Sequence, residues 1–234
     1  MNARSMKRFW LVSLSLALAL AGCAMGSPFY TAEPFSAQVV DDETGQPIEG
    51  ANVVANWELV SGGLDGQRHM GQLEVKETVT DANGRFSFEG FTRANPSFGE
   101  LRDADPRVLV FKGGYEAHTY YGAIRDPRDY PATHRQAAVD GKVLRLAKVK
   151  PMQMGPKGYE RPVFHFLLTG DVRDIVADCQ WQKIPRLLTA MEAERTRLLT
   201  LYPNASVGIG IERLSSWSKA ECKLTIEAVK GYLR

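Results

Sequence analysis

The sequence predicts an α+β protein: a Greek-key β-sandwich of about seven strands over residues 35–150, then a small helical segment. Three observations predict it. Ala51, Val53, Ala55, Trp57 and Leu59 alternate with Asn52, Asn56 and Glu58, the period of two of a strand with one buried face. Asp81-Ala82-Asn83-Gly84 lies between two such runs and is a hairpin signal. Beyond Lys150 the apolar spacing becomes helical, with Ile184, Leu187, Leu188, Met191, Leu198 and Leu199 recurring at three and four residues.

In chain order, residues 35–41 read as the first strand. Thr44-Gly45-Gln46-Pro47 then reverses the chain into the alternating run, because Gly and Pro supply the backbone angles a turn needs. Residues 61–72 begin as a Gly-rich loop, and residues 73–80 and 85–91 form the hairpin. In its second arm Phe86 and Phe88 share one face, and Arg85, Ser87 and Glu89 the other. Residues 92–106 read as a connection with Pro96, Gly99 and Pro106 as breakers. Val108-Leu109-Val110-Phe111 is an unbroken apolar run suited to a central strand. Gly113-Gly114 turns into 115–121, and 142–149 is the last strand. The expected interior holds Val53, Ala55, Trp57, Phe86, Phe88, Val108 and Val110. Residues 151–169 read as a Pro-, Gly- and Met-rich linker, and residues 170–234 as the helical segment. A short helix is expected at 172–181, a long one entered through Pro185 and ended by Pro203, and a last one opened by a Ser218-to-Glu221 capping box. On that last helix Cys222, Ile226, Val229 and Leu233 would share a stripe.

The strand region resembles the carboxypeptidase regulatory-like domain, a transthyretin-like β-sandwich. The residues that carry the likeness are Gly45-Gln46-Pro47-Ile48-Glu49-Gly50-Ala51 with Val53, Thr80-Asp81-Ala82-Asn83-Gly84-Arg85-Phe86, and Leu109 to Tyr115. The likeness implies a non-catalytic accessory module. Hydroxyisourate hydrolases share the transthyretin-like fold, but the chain ends Val229-Lys230-Gly231-Tyr232-Leu233-Arg234 and lacks their closing Tyr-Arg-Gly-Ser.

The amino terminus has the layout of a signal peptide over residues 1–22: basic Arg4, Lys7 and Arg8, then an apolar run too short to span a bilayer. Its ending, Leu20-Ala21-Gly22-Cys23, is similar to the lipobox of bacterial lipoproteins. That resemblance implies cleavage before Cys23, acylation of Cys23, and sorting to the outer membrane because Ala24 rather than Asp follows. Residues 23–34 then read as a tether. Removing the three basic residues and no acidic one takes the formal charge from +2 to −1. A near-neutral chain without a basic cluster argues against nucleic-acid binding. With Cys23 as the anchor, Cys179 and Cys222 remain, and an even pair in an exported chain is expected to form a disulfide that staples the helices.

No GxSxG elbow, HExxH or P-loop occurs, and His69, His118, His134 and His165 are not spaced as helical metal ligands. No cofactor and no metal site is expected. Asp41-Asp42-Glu43 reads as a solvated acidic turn. The candidate contact residues are His118, Tyr120 and Tyr121, with Tyr115, Tyr130 and His134 nearby, since aromatic faces beside polar groups bind sugar rings or protein partners. The function expected is a lipid-anchored periplasmic module that binds an envelope protein. The alternatives are a glycan or peptidoglycan binder and an envelope hydrolase.

Overall fold

The computed structural model describes residues 27–61, 67–95, 97, 99–102, 106–122, 134–150, 152–153, 162–164 and 169–232. The signal segment, Cys23, Tyr130 and His165 lie outside the described residues. Strands β1 (Phe29–Ala32), β2 (Phe35–Asp41), β3 (Asn52–Ser61), β4 (Arg68–Val79), β5 (Arg85–Phe88), β6 (Phe91–Ala94), β7 (Glu100–Leu101), β8 (Arg107–Phe111), β9 (His118–Tyr120), β10 (His134–Arg135), β11 (Val143–Leu146), β12 (Met152–Gln153) and β13 (Pro162–Phe164) come first. Helices α1 (Thr169–Ala177), α2 (Pro185–Leu201), α3 (Ile211–Ser215) and α4 (Ile226–Tyr232) follow, with β14 (Ser206–Val207) between α2 and α3.

The strands form several sheets. The central one runs β4-β3-β8-β9, with β7 also on β3. A second runs β11-β2-β5, with β11 parallel and β5 antiparallel to β2. Two small sheets, β10-β1-β6 and β12-β13-β14, are also formed among the described residues. One apolar core joins the second sheet to one face of the central sheet: Phe35, Val39, Phe86, Phe88, Leu144 and Leu146 meet Val53, Ala55, Trp57, Val108 and Val110. The seven residues expected inside are all buried. Phe35 sits among rings, 5.1 Å from Phe88 and 6.3 Å from Trp57 between centroids.

The opposite face of the central sheet is buried as well. Val54, Val75, Leu109 and Phe111 belong to a second core with Val172, Ile175, Trp181, Leu187, Leu188, Met191 and Val229. The helical segment therefore lies on the sheet as a layer. Strand β3 is consequently buried on both faces, so its alternation does not mark a wet side. In the helical layer, Cys179 and Cys222 form the expected disulfide, with Cα atoms 4.9 Å apart. Trp181 donates its indole N–H to the Cys222 carbonyl at 2.7 Å and packs against the Tyr232 ring.

The β4–β5 hairpin closes as the sequence implies. Asp81 accepts the N–H groups of Asn83 and Arg85, and Gly84 takes φ 69°. A Cβ on Gly84 would lie 2.3 Å from the Val39 carbonyl oxygen, so only glycine fits this crossing.

Several boundaries differ from the expectation. The stretch read as a tether contributes β1, with Tyr30 and Ala32 buried. Strand β4 begins at Arg68, inside the stretch read as a loop. The expected connection after the hairpin holds β6 and β7. The stretch read as a linker holds β12 and β13, and β13 pairs with β14 of the helical segment. Helix α1 stops at Ala177, and Cys179 follows at φ 58° rather than on a helix face. The last helix also starts later. Residues Ala220–Cys222 form a separate 3-10 turn, Lys223 turns at φ 50°, and α4 opens at Ile226. Cys222 thus reaches the core from a turn, not from the stripe of α4.

Candidate functional site

The charged groups that alternation would have placed in water are gathered between the sheet and the helices. Glu58 sits on β3 beside a register shift against β4, where Trp57 pairs with Glu74 and Glu58 with Gln72. It has no exposed side-chain surface. Arg102 donates from Nη2 to Glu58 Oε1 at 2.8 Å, and Arg107 donates from Nη2 to Oε2. His69, from the start of β4, meets the same carboxylate through Nδ1 at 2.6 Å. Its other nitrogen, Nε2, lies 2.8 Å from Asp178 Oδ2, just past the end of α1. Gln72 donates to the same Asp178 oxygen at 3.2 Å.

Burial alone would raise the Glu58 carboxyl, but the Arg107 charge and the hydrogen bonds from Arg102 and His69 outweigh it and hold it below its ordinary value. Burial pulls His69 down, yet the hydrogen bonds to Glu58 and Asp178, with their charges, raise it above the ordinary histidine value. An imidazole donating from both nitrogens is an imidazolium. In that form the ring has no lone pair to act as a base or to bind a metal. Glu58, His69 and Asp174 do offer ligand atoms within 4.8 Å of one another. Arg102 and Arg107 face Glu58, and Arg173 pairs with Asp174 at 3.3 Å.

Strand β4 carries the rest of the seam to the helices. Glu74 accepts from Lys183 at 3.0 Å and from Arg93 at 2.7 Å. Burial would raise its carboxyl, and those two cations bring it below the ordinary value. Helix α2 opens at Ile184 without a side-chain cap of its own. Glu77 supplies one from the sheet, accepting the Arg186 N–H at 3.1 Å and the Leu187 N–H at 2.6 Å. Burial outweighs these donors, and its carboxyl titrates above the ordinary value.

The aromatic candidates lie elsewhere. His118 and Tyr120 are in contact on β9, with ring centroids 4.4 Å apart and planes tilted by 57°, and the Tyr120 hydroxyl donates to the Arg145 carbonyl. Tyr121 follows, 57% exposed. Tyr115 is drawn away to the acidic turn, where its hydroxyl donates to Asp41 at 3.0 Å. Asp41 is not a solvated turn residue: it is 4% exposed and accepts the Glu43 and Thr44 N–H groups.

No family model and no curated protein matches the chain. The resemblance to the carboxypeptidase regulatory-like domain therefore falls. The residues that carried it are turn residues: Gly45, Gly50, Gly84 and Gly114 all take positive φ, which tight turns demand in any β protein. The solved structures similar to this chain are of other kinds. The 3-chlorocatechol 1,2-dioxygenase of Rhodococcus opacus 1CP is 17% identical over 54% of this chain and 62% of that one, with a TM-score of 0.29. For the catechol 1,2-dioxygenase of Pseudomonas arvilla C-1 the identity is 16%, over 62% of this chain and 60% of that one, with a TM-score of 0.31. The dioxygenase domain of a carbohydrate-binding fusion from Streptomyces sp. SirexAA-E is 17% identical over 53% and 82%, with a TM-score of 0.27. The chain spans less than two thirds of the length of the two catechol enzymes. Likeness this weak assigns neither an activity nor a ligand.

Proposed function

We propose that the chain is an exported, lipid-anchored module of the outer membrane that faces the periplasm and binds an envelope partner without catalysis. The observation that carries this is the Cys179–Cys222 disulfide, since such bonds persist in oxidising compartments. The Leu20-Ala21-Gly22-Cys23 ending supports acylation at Cys23. The doubly engaged His69 supports a binding rather than a catalytic role for the buried cluster. In this reading the strand layers are a Greek-key β-sandwich made of β2, β3, β4, β5, β8, β9 and β11, and the helices cover its outer face.

Mass spectrometry of the protein from native membranes tests the anchor: an acylated Cys23 as the first residue is expected, and a free thiol there overturns it. Affinity capture from solubilised envelopes tests the binding role. A protein recovered with the wild type and lost with Tyr121→Ala is the expected result, and repeated recovery of none overturns it. Co-sedimentation with purified sacculi, equally sensitive to Tyr121→Ala, would favour the glycan reading, which the His118–Tyr120 ring pair beside Tyr121 motivates.

A further inference from the structure

We propose that His69 is a proton-operated clasp between the two layers: as an imidazolium it ties Glu58 of the sheet to Asp178 of the helical layer, and losing its proton opens the tie. The inference does not depend on the envelope reading. Its ground is the geometry of one ring between two carboxylates on different elements, at 2.6 Å and 2.8 Å. A neutral imidazole has one N–H and one lone pair. It can donate to one carboxylate only, and it then turns a lone pair toward the other. Repulsion replaces a charge-assisted hydrogen bond on that side.

The side that opens is fixed by what else each carboxylate holds. Glu58 is fully buried and keeps Arg102 and Arg107. Asp178 is a quarter exposed and, without His69, keeps the Gln72 amide at 3.2 Å among the described side chains. The remaining N–H therefore stays with Glu58, and Asp178 is released. The other charged groups at the ring are Asp174 on α1, close to both Glu58 and His69, and Arg173, which pairs with Asp174 at 3.3 Å. Asp174 adds negative charge and favours the proton. Arg173 is more than half exposed, so solvent screens its opposition. Asp178 lies next to Cys179, so its release frees the end of α1 up to the disulfide, while Lys183–Glu74 and the Glu77 cap still hold the start of α2.

The sign follows from the raised pKa. Docking is fully present below about 6.5, the ordinary histidine value, and weakens as pH rises through the higher value of the docked state. Every tenfold difference in proton affinity between docked and released states is a tenfold difference in the docking constant.

Hydrogen–deuterium exchange of the full chain over a pH series, corrected for intrinsic rates, reads this directly. Residues 172–178 are expected to exchange faster above the His69 transition, while β5 and β11 stay unchanged. Asp178→Asn keeps the shape and removes the charge at a partly exposed site, so it folds. It should move the His69 transition, followed by imidazole NMR, downward and abolish the exchange step. His118→Ala should leave the step in place. A step that survives Asp178→Asn, or a His69 that titrates at or below 6.5, overturns the proposal. So does added zinc that protects 172–178 and shifts the His69 ring nitrogens, since that would make the cluster a metal site.

Discussion

The two faces of the central sheet are both buried, and they are buried by different chemistry. Toward β2, β5 and β11 the contact is apolar, built from Trp57, Phe35, Phe86 and Phe88. Toward the helices an apolar centre around Val54 and Phe111 is bordered by titratable groups: Glu58, His69, Glu74 and Glu77. The first face depends on volume and shape. The second depends on every charge keeping its partner, because a lone buried ion is far costlier than a lone buried methyl group. The apolar face should thus fail by cavities and the polar seam by pH and charge removal.

The largest effect is expected on the dry face. Phe88→Ala should cost roughly 3–5 kcal/mol by opening a cavity beside Phe35, whereas Ser87→Ala, on the exposed side of the same strand, should stay within about 0.5 kcal/mol. Chemical denaturation measures both, and equal losses would break the assignment of faces. On the seam, Glu58→Gln should cost roughly 3 kcal/mol, the low end for a broken buried ion pair, since Arg102 and His69 are a third exposed and can regain water. An apolar replacement on the dry face has no such remedy. If Glu58→Gln proves neutral, the cluster contributes little and the contrast between faces disappears.

The disulfide separates the layers by a different lever. Removing it with Cys179→Ala and Cys222→Ala should cost roughly 2–4 kcal/mol, through the loop it closes in the unfolded chain. Exchange at 172–183 should rise first, with β5 and β11 still protected. Simultaneous loss of protection in both layers would mean that the sheet does not stand without its helical cover.

Much of the dry face is legible in the chain. Period-two alternation places Trp57, Phe86 and Phe88 inward, and turn chemistry places Gly84 where no Cβ fits. The seam is not legible, for a physical reason. Glu58 follows the same alternation that marks a solvated face, and nothing local says that a layer more than a hundred residues later in the chain covers it. The helical stripe of Leu187, Leu188 and Met191 announces that a partner surface is needed but gives no address. Val54 was the available hint, an apolar residue on the side assumed wet. The cap of α2 is equally hidden, because its acceptor comes from Glu77 rather than from the residues before Pro185. The cysteine count succeeded where periodicity did not: it paired Cys179 with Cys222 although neither sits on the helix expected for it.

The smallest effect compares two buried carboxylates that stay ionised by different means. Glu58 relies on guanidinium groups, whereas Asp41 relies first on the Thr44 backbone N–H, with the Tyr115 hydroxyl and the Thr44 and Glu43 groups adding to it against burial. These donors lower Asp41 from 3.8 to about 2. A depressed carboxylate contributes stability that is present above its unfolded value and lost as pH falls through the folded one. Asp41 should therefore favour the fold at pH 4 and above, roughly, and lose that effect as the solution approaches about 2. Asp41→Asn keeps an oxygen for the Glu43 and Thr44 N–H groups but cannot ionise. Its melting temperature should fall slightly at neutral pH, and its acid slope should be flatter than that of the wild type. Because backbone donors carry no net charge and Lys148 is the one cation among the described groups paired with Asp41, at 3.5 Å, added salt should leave the Asp41 transition nearly in place. A transition that moves strongly with salt would show that Lys148, and not the turn backbone, keeps Asp41 ionised.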